Sequence, residues 1–117
     1  MGKSKKINSR AKGASAEREV AALIREYGIE ARRGQQFSGS ADSPDVVADI
    51  PGWHLEVKRV ENLSLYKAMD QAVRDSGAGR CPVVVHRRNG RSWVAILDFE
   101  TFLRLVSGKD IDIDDII

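Results

Sequence analysis

Pro44-Asp45-Val46-Val47-Ala48-Asp49-Ile50-Pro51-Gly52-Trp53-His54-Leu55-Glu56-Val57-Lys58 is the stretch that decides the fold. It reads as two short strands joined at Pro51-Gly52, each alternating apolar and polar residues with the period of two that marks a strand. Trp53, Leu55 and Val57 fall on one face, and His54, Glu56 and Lys58 on the other. Antiparallel pairing with Ile50 opposite Trp53 sets Asp49 against His54, Val47 against Glu56 and Asp45 against Lys58. Directly opposed and diagonal side chains share a face, so Asp45, Glu56 and Lys58 converge on one polar patch. Pro-Gly suits a type II turn better than the primed hairpin turns, which favours a four-residue loop over a two-residue one.

Such a patch has a chemical use. Two carboxylates can hold a hard divalent cation such as Mg²⁺, which keeps waters and takes phosphate oxygens as further ligands. A lysine beside them can orient a metal-activated water or stabilise charge on a phosphate. An ordinary ion pair on a solvated strand face would give the same three letters, so the patch alone does not decide between the two.

The rest of the chain narrows the class. Its 117 residues make one domain with a single modest core, and 42% hydrophobic with 31% charged residues fit a water-soluble protein. No apolar run approaches the roughly 18 residues a membrane span needs. The basic N-terminus lacks the apolar core of a secretory signal. The lone Cys81 has no disulfide or zinc-site partner and reads as a small apolar residue, so a cytoplasmic setting is expected. Net charge is +2, unevenly spread. Lys3, Lys5, Lys6, Arg10 and Lys12 crowd the start, while Asp110, Asp112, Asp114 and Asp115 crowd the end. Taking those four acids from the total leaves +6 on residues 1–109. A basic body suits a polyanion such as nucleic acid.

The pattern predicts a mobile basic arm over residues 1–12, a body over 13–108 and an acidic tail over 109–117. The first helix is expected from Ser15, as N-cap, to Tyr27, with Val20, Leu23, Ile24 and Tyr27 inward and Gly28 after its end. Glu17 lies on that inward face, an unusual place for a carboxylate. A short strand is expected over 29–33. The small, polar loop from Gly34 to Ser43 then delivers the chain to Asp45, and its hydroxyls and amides can donate to phosphate. A second helix is expected over Ser64–Asp75, burying Leu65, Met69, Ala72 and Val73. Lys67 and Gln71 lie on a neighbouring stripe that can face phosphate or a bound water. Cys81–Arg88 and Arg91–Leu97 read as a hairpin about Asn89-Gly90, with Arg80, Arg87, Arg88 and Arg91 as a second basic group. Asp98 caps a last helix over Phe99–Ser107 that buries Phe99, Phe102, Leu103 and Val106 and ends at Gly108.

The element order is αβββαββα, an α/β fold with a central mixed sheet flanked by helices. That order, with Glu17 ahead of Pro44-Asp45 and Glu56-Val57-Lys58, resembles the PD-(D/E)xK nuclease superfamily and its restriction-endonuclease-like fold. The resemblance is greatest to the archaeal-type Holliday junction resolvases and their viral relatives. It is carried by Lys12-Gly13 through Glu17-Arg18, Ser38-Gly39-Ser40, Pro44-Asp45-Val46-Val47-Ala48, Glu56-Val57-Lys58 and Gln71, across about residues 12–95. It implies a metal-dependent endonuclease that cuts four-way DNA junctions as a homodimer, in a prokaryotic cytoplasm or, if phage-encoded, that of the host. Asp45 and Glu56 would bind Mg²⁺, with Mn²⁺ as a substitute, and Glu17 would complete the acidic cluster. Lys58 would position water, Ser38 or Ser40 would contact the scissile strand, and Gln71 would support the site. Lys3, Lys5, Lys6, Arg10, Lys12, Arg18, Arg33 and Lys67 are the expected DNA contacts. Two other readings stay open: a nuclease of the same fold acting on flap, nicked or linear DNA, and a non-catalytic junction-binding protein.

Overall fold

The computed structural model describes residues 9–34, 45–77 and 79–108. The basic residues Lys3, Lys5 and Lys6, the loop with Ser38 and Ser40, and the acidic tail lie outside the described residues. The elements are α1 (Ser9–Glu26), β1 (Ala31–Arg33), β2 (Val46–Ala48), β3 (Trp53–Arg59), α2 (Leu65–Ser76), β4 (Cys81–Arg87), β5 (Val94–Ile96) and α3 (Phe99–Ser107), in the expected order. The five strands form one sheet in the order β1-β2-β3-β4-β5. All neighbours are antiparallel except β3 and β4, which run parallel because α2 carries the chain across between them. No helix among the described residues is long and apolar enough to cross a membrane.

The sheet is covered on both faces. On one, Ala16, Val20 and Ala21 of α1 pack with Val46, Leu55, Val57 and Val83, and Trp53 and Trp93 close the rim. On the other, Ala68 and Ala72 of α2 pack on Val84, with Met69 and Ile96 beside them. Fully burying one Val or Leu stabilises the fold by about 1.5–3 kcal/mol, so these few contacts hold both helices in place. The alternation in β3 thus has opposite fates: Leu55 and Val57 go under α1, and His54, Glu56 and Lys58 go under α2.

Several expectations need correction. α1 begins at Ser9, not at Ser15, so Arg10 and Lys12 belong to the helix rather than to an arm. The alanines at 11, 14 and 16 favour helix, and the roughly 1 kcal/mol cost of Gly13 is too small to stop it. The β2–β3 register is two residues off the expected one, with Val46 opposite Leu55. The connection is the four residues 49–52, and within it Trp53 N–H donates to the Ile50 carbonyl at 3.3 Å. Gly52 sits at φ 88°, the positive value that the third position of a type II turn requires. A two-residue shift preserves parity, so every side chain keeps its face. At the second hairpin Arg91 N–H meets the Arg88 carbonyl at 3.1 Å, yet Val84 pairs with Ile96 and β5 covers only Val94–Ile96. A two-residue hairpin on Asn89-Gly90 would set Val84 opposite Ala95, so the ladder is shifted by one residue and the returning side carries one extra residue.

All three helix faces also differ: on α1, Leu23 and Tyr27, expected inward, are exposed, and Val20 with Ala16 and Ala21 makes the buried face. On α2 the buried residues are Ala68, Ala72 and Ser76, whereas Leu65 and Val73 are exposed. Small side chains at i, i+4 and i+8 let this helix approach the polar face of β3 closely. On α3 the ends are as expected: Asp98 accepts from Thr101 N–H at 2.9 Å, and Gly108, at φ 72°, donates to the Arg104 carbonyl. Its apolar face contains no buried residue. Phe99, Phe102, Leu103, Leu105 and Val106 are exposed, because no described element packs substantially against α3.

Candidate active site

β2 and β3 bring the acidic pair together. One step beyond the Val46–Leu55 pair, Asp45 comes opposite Glu56, with Lys58 on the diagonal. The end of the ladder is closed by Asp45 itself. Its backbone N–H donates to the Leu55 carbonyl at 3.3 Å, and its Oδ2 accepts from Val57 N–H at 2.8 Å. The Asp45 carboxylate is therefore fixed against the strand that carries the glutamate and the lysine.

Glu56 is only 2% exposed. Burial pushes its pKa up to about 7, and the neighbouring Asp45 charge adds to that. Lys58 pulls the other way but does not offset the burial. Glu56 Oε2 lies 3.3 Å from Nε2 of His54, which is fully buried. Burial, helped by Arg80, holds His54 neutral. His54 Nδ1 has no hydrogen-bond partner among the described residues. When Glu56 is ionised, the tautomer that serves it carries its proton on Nε2.

Lys58 Nζ donates to Oε1 of Gln71 on α2 at 2.8 Å. This bond ties the second helix to the motif lysine across thirteen residues of sequence, a partner for Gln71 that the sequence reading did not name. Glu17 is drawn elsewhere. Its Oε1 accepts from Nε of Arg33 at 2.7 Å, so those two expected residues neutralise one another. Burial raises the Glu17 pKa, Arg33 lowers it and Asp45 raises it, which places Glu17 within electrostatic reach of the acidic pair. Among the described residues, no group of three acidic, histidine or cysteine side chains is close enough to hold one metal ion. Arg18 and Lys67 are exposed and Lys12 is half-buried.

The donor set fits a hard divalent cation. A partly buried and a buried carboxylate meet across β2 and β3, and burial, with the Asp45 charge beside it, raises the Glu56 pKa to about 7. A cation there would favour both ionised forms, and two carboxylates with waters and phosphate oxygens are a common Mg²⁺ shell. His54 is the residue that the sequence did not single out. It stood on the polar face of β3, but its complete burial depends on α2 covering that face, for which the small residues at 68, 72 and 76 were the available signal.

A mixed sheet with an Asp at the end of one strand, Glu-x-Lys on the next and a helix on each face defines a nuclease fold of the PD-(D/E)xK class. The family model for the archaeal Holliday junction resolvases (Hjc) matches residues 8–74, more than half of the chain and all of these motif residues, and the chain belongs to that family. The family is one of nucleases that resolve Holliday junctions. Four solved chains match the structure significantly. One is Hjc from Archaeoglobus fulgidus, described as a Holliday junction resolvase from an archaeal hyperthermophile. It is 23% identical, with 74% of this chain and 72% of that chain covered and a TM-score of 0.54, a likeness of fold. No curated protein matches significantly.

Proposed function

We propose that this chain is a Mg²⁺-dependent endonuclease that cuts four-way DNA junctions as a homodimer. The observation that carries the proposal is the gathering of Asp45, Glu56, Lys58 and Gln71 on one sheet face in a chain of the resolvase family. Asp45 and Glu56 would hold the ion, with Glu17 reaching it through water and Mn²⁺ as an alternative metal. When bound, the ion lowers the pKa of a water and offsets charge developing on the phosphate.

The remaining chemistry belongs to the side chains. Asp45 is held in place by Val57 N–H, so its carboxylate needs no reorganisation to bind. Glu56 shares its burial with His54, which aligns the carboxylate along β3. Lys58 has three N–H donors, and Gln71 occupies one. The other two remain for a water or a non-bridging phosphate oxygen, where a fixed ammonium stabilises the charge of the transition state. Arg33 holds Glu17 at the margin of the site. Each chain carries one such site and a four-way junction needs two cuts, so two copies are required. The bare apolar stripe of α3 supports an assembly larger than one chain.

The test is cleavage of a four-way junction against matched linear and flap DNA, in Mg²⁺ and in EDTA, with wild type and Asp45→Asn together. Paired, symmetric, Mg²⁺-dependent nicks on the junction alone, absent in the variant, are expected. Equal cutting of every substrate would refute junction specificity. Junction binding without any cutting would refute the enzyme.

A further inference from the structure

The hairpin between β4 and β5 is anchored to the strand that carries the catalytic residues by more than its own turn. Glu61, just past the end of β3, accepts from Arg59 Nη1 at 3.2 Å and from the backbone N–H of Asn89 at 2.9 Å. Arg59 Nη2 in turn donates to Asn89 Oδ1 at 2.6 Å. His86, which by the ladder register lies on the opposite face of the sheet from Arg59, brings its Nε2 to the Val60 carbonyl at 2.8 Å. Arg87, the ladder partner of Arg59 on the α1 face, lies over the Trp93 ring at 5.6 Å and pairs with Glu19 of α1 at 3.6 Å. The tip is therefore held from both faces of the sheet.

What this clamp presents is positive. Arg88 and Arg91 at the tip are exposed, and neither forms a salt bridge among the described residues. Four arginines (59, 87, 88 and 91) against two glutamates (19 and 61) leave a local net charge of +2. Glu61 is held ionised, below the usual carboxylate range, by the Asn89 N–H and Arg59. It thus persists as an anchor despite its exposure.

The tip is also near the chemistry. Lys58 pairs with His86 across the parallel ladder, and Arg88 follows His86 by two residues. At about 3.3 Å per residue and roughly 4.8 Å between strands, its backbone lies some 8 Å from that of Lys58. That is two to three nucleotides of rise along one DNA strand, at about 3.4 Å each.

We propose that the clamped β4–β5 tip is a second DNA-binding surface, with Arg88 and Arg91 contacting backbone phosphates of the duplex arm next to the cut. Arg59, Glu61 and Asn89 act as positioning residues for it. This deepens the nuclease reading and rests on it. A rigid tip binds better than a loose one, because the ordering cost is met on folding rather than on binding.

The experiment is fluorescence anisotropy on a labelled four-way junction, and on linear duplex, over a range of salt without metal. Arg88→Gln with Arg91→Gln is expected to weaken both complexes at least tenfold and to flatten the log–log salt slope by about 2. Glu61→Ala supplies the sharper arm. It makes the protein more positive, so charge alone predicts tighter binding, whereas loss of the clamp predicts several-fold weaker binding. Circular dichroism confirms that each variant is folded. Unchanged affinity and slope in the double variant, or tighter binding by Glu61→Ala, would overturn the proposal. Failure of the nuclease reading would show separately, as wild-type protein that cuts no DNA.

Discussion

Replacing Glu56 with glutamine should make the metal-free protein more stable at pH 8 while abolishing cleavage. Glu56 is 2% exposed and its pKa rises from 4.5 to about 7 on folding. Below about pH 4.5 the group is protonated in both the folded and the unfolded chain and contributes nothing. Between 4.5 and about 7 the folded protein keeps a proton that the unfolded chain has released, so stability falls as pH rises. Above about 7 the cost is complete. At about 1.4 kcal/mol per pH unit, the span from 4.5 to about 7 comes to roughly 3 kcal/mol. The assay is urea unfolding followed by circular dichroism, from pH 5 to 8 in EDTA, for wild type and Glu56→Gln. The two stability curves should diverge with rising pH, the variant gaining up to about 3 kcal/mol. Adding Mg²⁺ at a hundredfold excess over its Kd should return about 2.7 kcal/mol to wild type and nothing to the variant. Parallel curves for the two proteins would refute the buried, proton-holding glutamate and the metal site drawn from it.

Other consequences are quickly checked. Asp45→Asn should abolish cleavage while junction affinity, read by anisotropy, survives. Lys58→Ala should slow single-turnover cleavage by about 10²–10³-fold, the usual loss for one transition-state donor, and Gln71→Ala, which only frees the lysine, by about tenfold. Deleting residues 1–8 should weaken junction binding and flatten its salt dependence; an unchanged slope would remove that segment from the interface. Phe102→Asp should reduce the mass seen in sedimentation to that of one chain, and an unchanged mass would remove α3 from the assembly.

Much of this was legible because strand and helix periods differ. Alternation through 44–58 gave the two strands and their polar face, and Asp98 and Gly108 marked both ends of α3. Faces were harder than elements. Leu65, Val73 and the α3 stripe are apolar but exposed, since a period says which residues share a side and not whether anything covers it. The register of β2 on β3 slipped by two because alternation constrains parity alone. In the site, Gln71 was placed only as a support, and its bond to Lys58 emerges from the packing of α2 on β3; Glu17 is held by Arg33, a side-chain partner sixteen residues away that no local pattern reveals.

The bond from Val57 N–H to Asp45 has an evolutionary consequence. The carboxylate that would do chemistry also ties off two strands, so one mutation can harm both activity and folding. A lineage drifting toward a protein that holds junctions without cutting them would find Asp45→Ala a poor route, because it also removes the acceptor for that N–H. Asp45→Asn keeps an oxygen there, and loss of Lys58 leaves the strands untouched. Retention of this aspartate in a relative is therefore weak testimony that the relative still cuts. The lysine is the more informative residue to inspect.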